Sequence, residues 1–123
     1  MTKTAKWKAA PDAHDFPAVD DYLTLILGAS ERAAVIRQLK RATLAHRQAK
    51  DLLRASRLPL LPMNNVDVAK DLKKVKKGML LSPVLLMRGD AVSGVPMTIA
   101  DGYHRVCASY YIDENADIPA GET

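Results

Sequence analysis

Thr98-Ile99-Ala100-Asp101-Gly102-Tyr103-His104-Arg105-Val106-Cys107-Ala108 sets a short apolar strand against a helix that opens on His-Arg, with Asp-Gly at the junction. Such a junction aims the backbone N–H groups of a helix start, an imidazole and a guanidinium at one point, which suits a phosphate. Working outward, Pro83-Val84-Leu85-Leu86-Met87 reads as a buried strand, and a turn runs from Gly89-Asp90 to Gly94. Val95 to Ala100 is the second strand. Upstream, Asn64-Asn65 offers caps for a helix from Val66 to Lys77, stopped by Gly78, with Val68, Leu72 and Val75 on one face. Downstream, a helix is expected over residues 103–112, and Ala116-Asp117-Ile118-Pro119 gives a last short strand. The order helix, strand, strand, helix, strand predicts an α+β (α/β) class, with N-terminal helices packed on a small mixed sheet.

The N-terminal half reads differently. Residues 1–16, with Pro11 and scattered charges, are expected to form a flexible arm, and residues 17–60 a helical part. Val19, Tyr22, Leu23, Ile26 and Leu27 have helical spacing from Ala18 to a stop at Gly28. A longer helix is expected from an N-cap at Ser30 to about Ser56, since neither Gly nor Pro interrupts it. Its apolar seam would be Val35, Leu39, Ala42, His46, Ala49 and Leu53, narrow and Ala-rich, a candidate helix–helix or homodimer contact. Arg37, Lys40, Arg41, Arg47, Lys50, Arg54 and Arg57 would fall on the other side. That side reads either as a solvated polar face or as a docking surface for nucleic acid or an acidic partner. Residues 61–123 form the α/β part of what is expected to be one domain.

Charge follows the same division. Residues 1–60 hold 11 Lys/Arg against 6 Asp/Glu, for +5, and residues 61–123 hold 7 against 8, for −1. The surplus is compatible with nucleic-acid binding without arguing for it. No apolar run approaches the roughly 18 residues of a membrane span. Met1-Thr2-Lys3-Thr4-Ala5-Lys6-Trp7-Lys8 lacks the apolar core of a signal peptide. With a single cysteine besides, a cytoplasmic location is expected. No Cys/His set has zinc spacing, and Asp12, His14 and Asp15 in the arm form a grouping common by chance, so no metal site is expected.

Asp71-Leu72-Lys73-Lys74-Val75 with Gly78, Ser82-Pro83-Val84-Leu85-Leu86, and Ile99-Ala100-Asp101-Gly102-Tyr103-His104-Arg105 with Ala108 resemble the ParB/sulfiredoxin-like superfamily. The likeness covers residues 64–119. The signature is Gly-Glu-Arg-Arg in chromosome-partitioning ParB proteins, Gly-Cys-His-Arg in sulfiredoxins and Asp-Gly-His-Thr-Arg in related free-serine kinases. Gly102 and Arg105 match all three; the His104-Arg105 pair matches sulfiredoxins and Asp101-Gly102 the kinases.

The resemblance implies a nucleotide or other phosphate ligand, with Mg²⁺ as a candidate companion and NTP hydrolysis or phosphoryl transfer as candidate chemistry. It implies Gly102, Tyr103, His104 and Arg105 as ligand-binding residues and Asp101 and His104 as catalytic candidates. Lys70, Lys73 and Lys74 could supply further positive charge. Gly102 lets the backbone approach a phosphate, Arg105 offers a planar fork, and His104 can donate to the anion or move a proton near neutral pH.

Three departures limit the likeness. The sulfiredoxin nucleophile is replaced by Tyr103, which excludes sulfinic-acid reduction, and Cys107 reads as a buried packing residue. The serine kinases' upstream catalytic Glu has no counterpart beyond Glu31, leaving Asp67 and Asp71 as substitutes. No helix-turn-helix reader of the ParB type is expected, and the short terminal strand is expected to leave a sheet edge open to a partner. Two alternatives stand beside phosphate binding: a DNA- or RNA-binding or nuclease-type protein using the 37–57 basic face, and a non-catalytic dimeric interaction module.

Overall fold

In the computed structural model, which describes residues 4–123, Val84, Leu85 and Leu86 are at most 2% exposed. The strand that carries them, β4 (Val84–Met87), is therefore covered on both faces. The elements run β1 (Lys6–Trp7), α1 (Asp15–Leu23), α2 (Ala29–Arg41), β2 (Ala45–Gln48), α3 (Ala49–Ser56), α4 (Val66–Lys76), β3 (Leu80–Leu81), β4, β5 (Thr98–Asp101), α5 (Tyr103–Ile112) and β6 (Asp117–Glu122). The main sheet has the order β2-β6-β4-β5: β4 is parallel to β6 and antiparallel to β5, and β2 is antiparallel to β6. A separate parallel pair joins β1 to β3.

Alternation along the strands divides the core into two layers. Val84, Leu86, Ile99, Ile118 and Ala120 pack with Leu52 of α3, Val68 of α4 and Val106, Cys107 and Ala108 of α5. Leu85 and Ala100 face the other way, onto Val19 and Leu23 of α1 and Leu39 of α2. The architecture is thus α+β, a mixed sheet between two helical layers. Cys107 is wholly buried, and burial lifts its thiol above the ordinary range, as suits a packing residue.

The expected helix from Ser30 to Ser56 does not form. Gly28, not Ser30, occupies the N-cap of α2, and the helix ends at Arg41 where Ala42 turns extended. Residues 45–48 then pair with β6 in register Ala45↔Ala120 to Gln48↔Asp117. Ladder hydrogen bonds to a central strand outweigh a local helical preference of a few tenths of a kcal/mol per residue, roughly the propensity scale. The Val35–Leu53 seam consequently does not exist as one face: Leu39 lies in one core layer, Ala49 and Leu53 in the other. The homodimer contact expected on it loses its basis. β6 also differs from expectation, since it runs six residues in the middle of the sheet and leaves the edges to β2 and β5.

The arm is corrected as well. Its first three residues lie outside the described ones, but the rest is tied down. Trp7 packs on the core, Lys8 N–H donates to the Leu81 carbonyl at 2.8 Å, and Asp12 N–H donates to Ser82 Oγ at 3.0 Å. Ser82 in turn donates to the buried Asp15 carboxylate in the first turn of α1. Few apolar residues are needed to hold such a segment when its polar groups find fixed partners.

Candidate functional site

The turn between β5 and α5 rests directly on β4. Gly102 is the N-cap of α5 at φ +104°, and a Cβ there would stand 2.6 Å from Val84 Cγ1. Only glycine brings the backbone this close to the sheet. The first turn of α5 has no side-chain cap, so its leading N–H groups remain available to an anion.

Arg105, one turn along, folds back toward the strand end. Its Nη2 donates to Asp101 Oδ2 at 2.7 Å, while its buried Nε has no partner among the described residues. Burial pushes the Asp101 carboxyl above the ordinary carboxylate range, against the pull of the Arg105 guanidinium beside it. Desolvation thus outweighs even a short ion pair there.

These groups open on a polar cavity of about 470 Å³. Helix α4 contributes Asp67, Lys70, Asp71 and Lys74, whose three- and four-residue spacing puts them on one face. His104 Nε2 lies 3.6 Å from Asp67, and Lys74 Nζ lies 4.0 Å from Asp71, whose carboxyl burial also pushes upward. The segment before α1 contributes Lys8, Asp12 and His14, and the β3–β4 connection contributes Leu80, Leu81 and Ser82. Lys8 donates to Asp12 at 2.8 Å and holds that carboxyl below its usual range.

Of the expected phosphate-site residues, Asp101, Gly102, His104, Arg105, Lys70 and Lys74 meet at this cavity. Tyr103 and Lys73 do not. Tyr103 turns the other way, packing on the core and donating its hydroxyl to the Pro59 carbonyl, and Lys73 points to solvent. Lys8 and Ser82 were not expected here, nor were Asp12, His14 and, beside them but not lining the cavity, the buried Asp15. In sequence the last three look like a chance grouping, yet ligand atoms from each lie within 4.8 Å of one another. Two carboxylates and one imidazole offer mixed oxygen and nitrogen donors, which suit a transition-metal dication better than Mg²⁺, an ion that prefers oxygen ligands throughout.

The basic residues of the N-terminal half divide among three elements. Arg37, Lys40 and Arg41 belong to α2, where Lys40 Nζ sits 5.6 Å from the Phe16 ring centre. Arg47 on β2 is engaged by Glu122 through two hydrogen bonds of 2.6 and 2.8 Å. Lys50 and Arg54 of α3, with Arg57, flank a shallow groove floored by Leu58, Leu60 and Tyr110. A further cavity of about 390 Å³ is lined largely by Leu52, Ala55, Leu86 and Met97, and the Arg47–Glu122 pair satisfies two of the charges lining it. It offers little to an anion compared with the β5–α5 cavity.

The chain matches no protein-family model, no curated protein and no solved structure. Among the described residues no helix is long and apolar enough to cross a membrane.

Proposed function

We propose that this protein binds a phosphate-bearing ligand, a nucleotide or another phosphate ester, at the β5–α5 turn, in the manner of the ParB/sulfiredoxin-like domains it resembles. The observation that carries the reading is Arg105: a guanidinium half engaged by Asp101, with a buried free Nε, beside the uncapped start of α5 and above a cavity that also holds Lys8, Lys70 and Lys74. A guanidinium fork and helix-start N–H groups are complementary to phosphate oxygens. Asp101 aims the fork, and His104, half exposed at the cavity wall, is the group placed to move a proton in hydrolysis or phosphoryl transfer. A divalent cation bound with the phosphate, held by the carboxylates around Asp12 and Asp15, would neutralise phosphate charge.

The test is thermal stability with nucleoside di- and triphosphates, with and without Mg²⁺, on the wild type and Arg105→Ala. A ligand at 100 times its Kd stabilises by about 2.7 kcal/mol, a readily seen shift in midpoint. A shift present in the wild type and absent in the variant supports the reading; no shift with any phosphate removes it.

A second reading, nucleic-acid binding, draws on α3. Lys50, Arg54 and Arg57 have no acidic partner among the described residues and flank a groove that contains Tyr110. It requires an affinity for oligonucleotides that falls steeply with salt and drops on neutralising Lys50 and Arg54.

A further inference from the structure

A separate cavity of about 300 Å³ lies at the other end of α5. Its wall includes Trp7 of β1, Ser109 and Ile112 of α5, Asp113 and Asn115 of the following turn, and Asp117 of β6. The chain has a net charge of +4, yet among the described residues this lining carries two carboxylates and neither lysine nor arginine. We infer that the cavity binds a primary alkylammonium group, its charge held by Asp113, Asp117 and the Ser109 hydroxyl and its carbon chain by Trp7. This inference is independent of the phosphate reading.

Ser109 carries the argument furthest. It lies at the inner wall of the cavity, wholly buried, and its Oγ has no hydrogen-bond partner among the described residues. A helical serine commonly returns its hydroxyl to a carbonyl of the preceding turn, and this one does not. A buried hydroxyl left unpaired costs stability, whereas a donor entering the cavity would satisfy its oxygen.

The surrounding charge selects a cationic donor. Asp113 has no cationic partner among the described residues, and its Oδ1 accepts from the Asn115 N–H at 2.9 Å, which fixes the carboxylate in the turn. Asp117 has only the exposed imidazole of His46, 3.1 Å away. The last turn of α5 holds no basic residue, so the negative end of the helix dipole also lacks a compensating charge of its own. The half-buried Trp7 adds an aromatic wall, which attracts cations and packs methylenes. Asp113, Asp117 and His46 do not converge as a metal set among the described residues. A primary ammonium brings three N–H donors to two carboxylates and one hydroxyl, a match that a quaternary ammonium lacks. The volume is at the lower limit of small-molecule sites and suits an amine of a few carbons.

Trp7 is the single tryptophan of the chain, so its fluorescence reports on this cavity. The test is fluorescence titration of the full chain at neutral pH and constant ionic strength with butylamine, Nα-acetyl-lysine amide and tetramethylammonium. It is run on the wild type, Ser109→Ala and Asp113→Asn, the last of which keeps the oxygen that accepts from Asn115. Butylamine should give a saturable change, and tetramethylammonium, which has no donor, should bind more weakly. Asp113→Asn should weaken butylamine about tenfold, and Ser109→Ala about three- to tenfold, as expected for losing a charged and a neutral partner. The alanine variant should lose this affinity while unfolding at higher denaturant than the wild type, which separates ligand contact from damage to the fold. Tighter binding of the lysine amide than of butylamine assigns the group to a lysine side chain of a partner protein, and weaker binding assigns a free amine. No saturable change with any amine, or tetramethylammonium binding as tightly as butylamine, overturns the inference. So does either variant binding butylamine as the wild type does, the result expected if a buried water satisfies Ser109 instead.

Discussion

Replacing Gly102 by alanine should be among the most damaging single-methyl additions to this protein, and its cost can be worked from two separate sources. The first is conformational: at φ +104° an L-residue is outside its allowed regions, and holding it there costs about 1–3 kcal/mol. The second is steric. The added Cβ would stand 2.6 Å from Val84 Cγ1, 3.0 Å from Val84 Cβ and 2.8 Å from Arg105 Nη2. The guanidinium can swing away, but Val84 is wholly buried in β4, and overpacking a fixed core side chain costs about 1–3 kcal/mol. The sum, about 2–6 kcal/mol, is a large part of the 5–15 kcal/mol that is typical of a whole domain. Gly94 provides the control: its φ is +74°, and nothing lies within 4 Å of a Cβ placed there, so alanine bears only the first cost. Guanidinium melts of Gly102→Ala, Gly94→Ala and the double variant Gly102→Ala/Val84→Ala would separate the two. The account expects Gly102→Ala to lose at least about 1 kcal/mol more than Gly94→Ala, and the double variant to lose less than the sum of its singles. Equal losses for the two glycines, with additive behaviour in the double, would refute the seating of the β5–α5 turn on β4.

Other expectations are briefer. The Ser109 hydroxyl is buried without a partner, so Ser109→Ala should stabilise by roughly 1 kcal/mol in the same melts, whereas a loss would mean that the hydroxyl is satisfied. The Glu122 carboxyl is held below its usual range by its hydrogen bond to Arg47, so its contribution is fully present above the ordinary glutamate pKa and is lost as acid titrates it. Because the pair is partly solvated, Glu122→Gln should cost no more than about 1 kcal/mol at neutral pH and flatten the acid limb of the stability profile. Asp71 has the opposite sign. Burial raises its carboxyl, so stability falls as pH rises from the ordinary aspartate pKa through the folded value. Asp71→Asn should remove that fall in denaturant midpoints measured between about pH 3 and pH 8.

Local signals carried most of the C-terminal half into view. Asn65 caps α4 by accepting from the Asp67 and Val68 N–H groups, α4 ends within a residue of its expected limit, and α5 spans the expected 103–112. The apolar run in β4 and the Asp-Gly junction are equally local, and they gather Asp101, Gly102, His104 and Arg105 at one strand-to-helix turn that lines a single cavity. The middle of the chain escapes local reading because residues 42–48 contain neither Gly nor Pro, and the strand state of residues 45–48 comes from pairing with β6, roughly seventy positions away. The same blindness hid the N-terminal wall of the site. Lys8 and Asp12 are held at the cavity by Leu81 and Ser82, with the buried Asp15 accepting from Ser82 behind them, and no spacing within residues 1–16 encodes those partners. The resemblance implies Tyr103 as a ligand residue, but a helix start sends successive side chains roughly 100° apart, so His104 faces the cavity and Tyr103 the Pro59 carbonyl.

The central claim is that a phosphate binds at the start of α5. Amide and guanidinium nitrogen–proton correlation spectra of the labelled protein, recorded during titration with magnesium tripolyphosphate, address it most directly. The account predicts saturable shifts concentrated on the Tyr103, His104 and Arg105 amides and on Arg105 Nε, the donor left free in the unliganded protein. Shifts confined instead to Lys50, Arg54 and Arg57, or a spectrum unchanged at millimolar ligand, would contradict it.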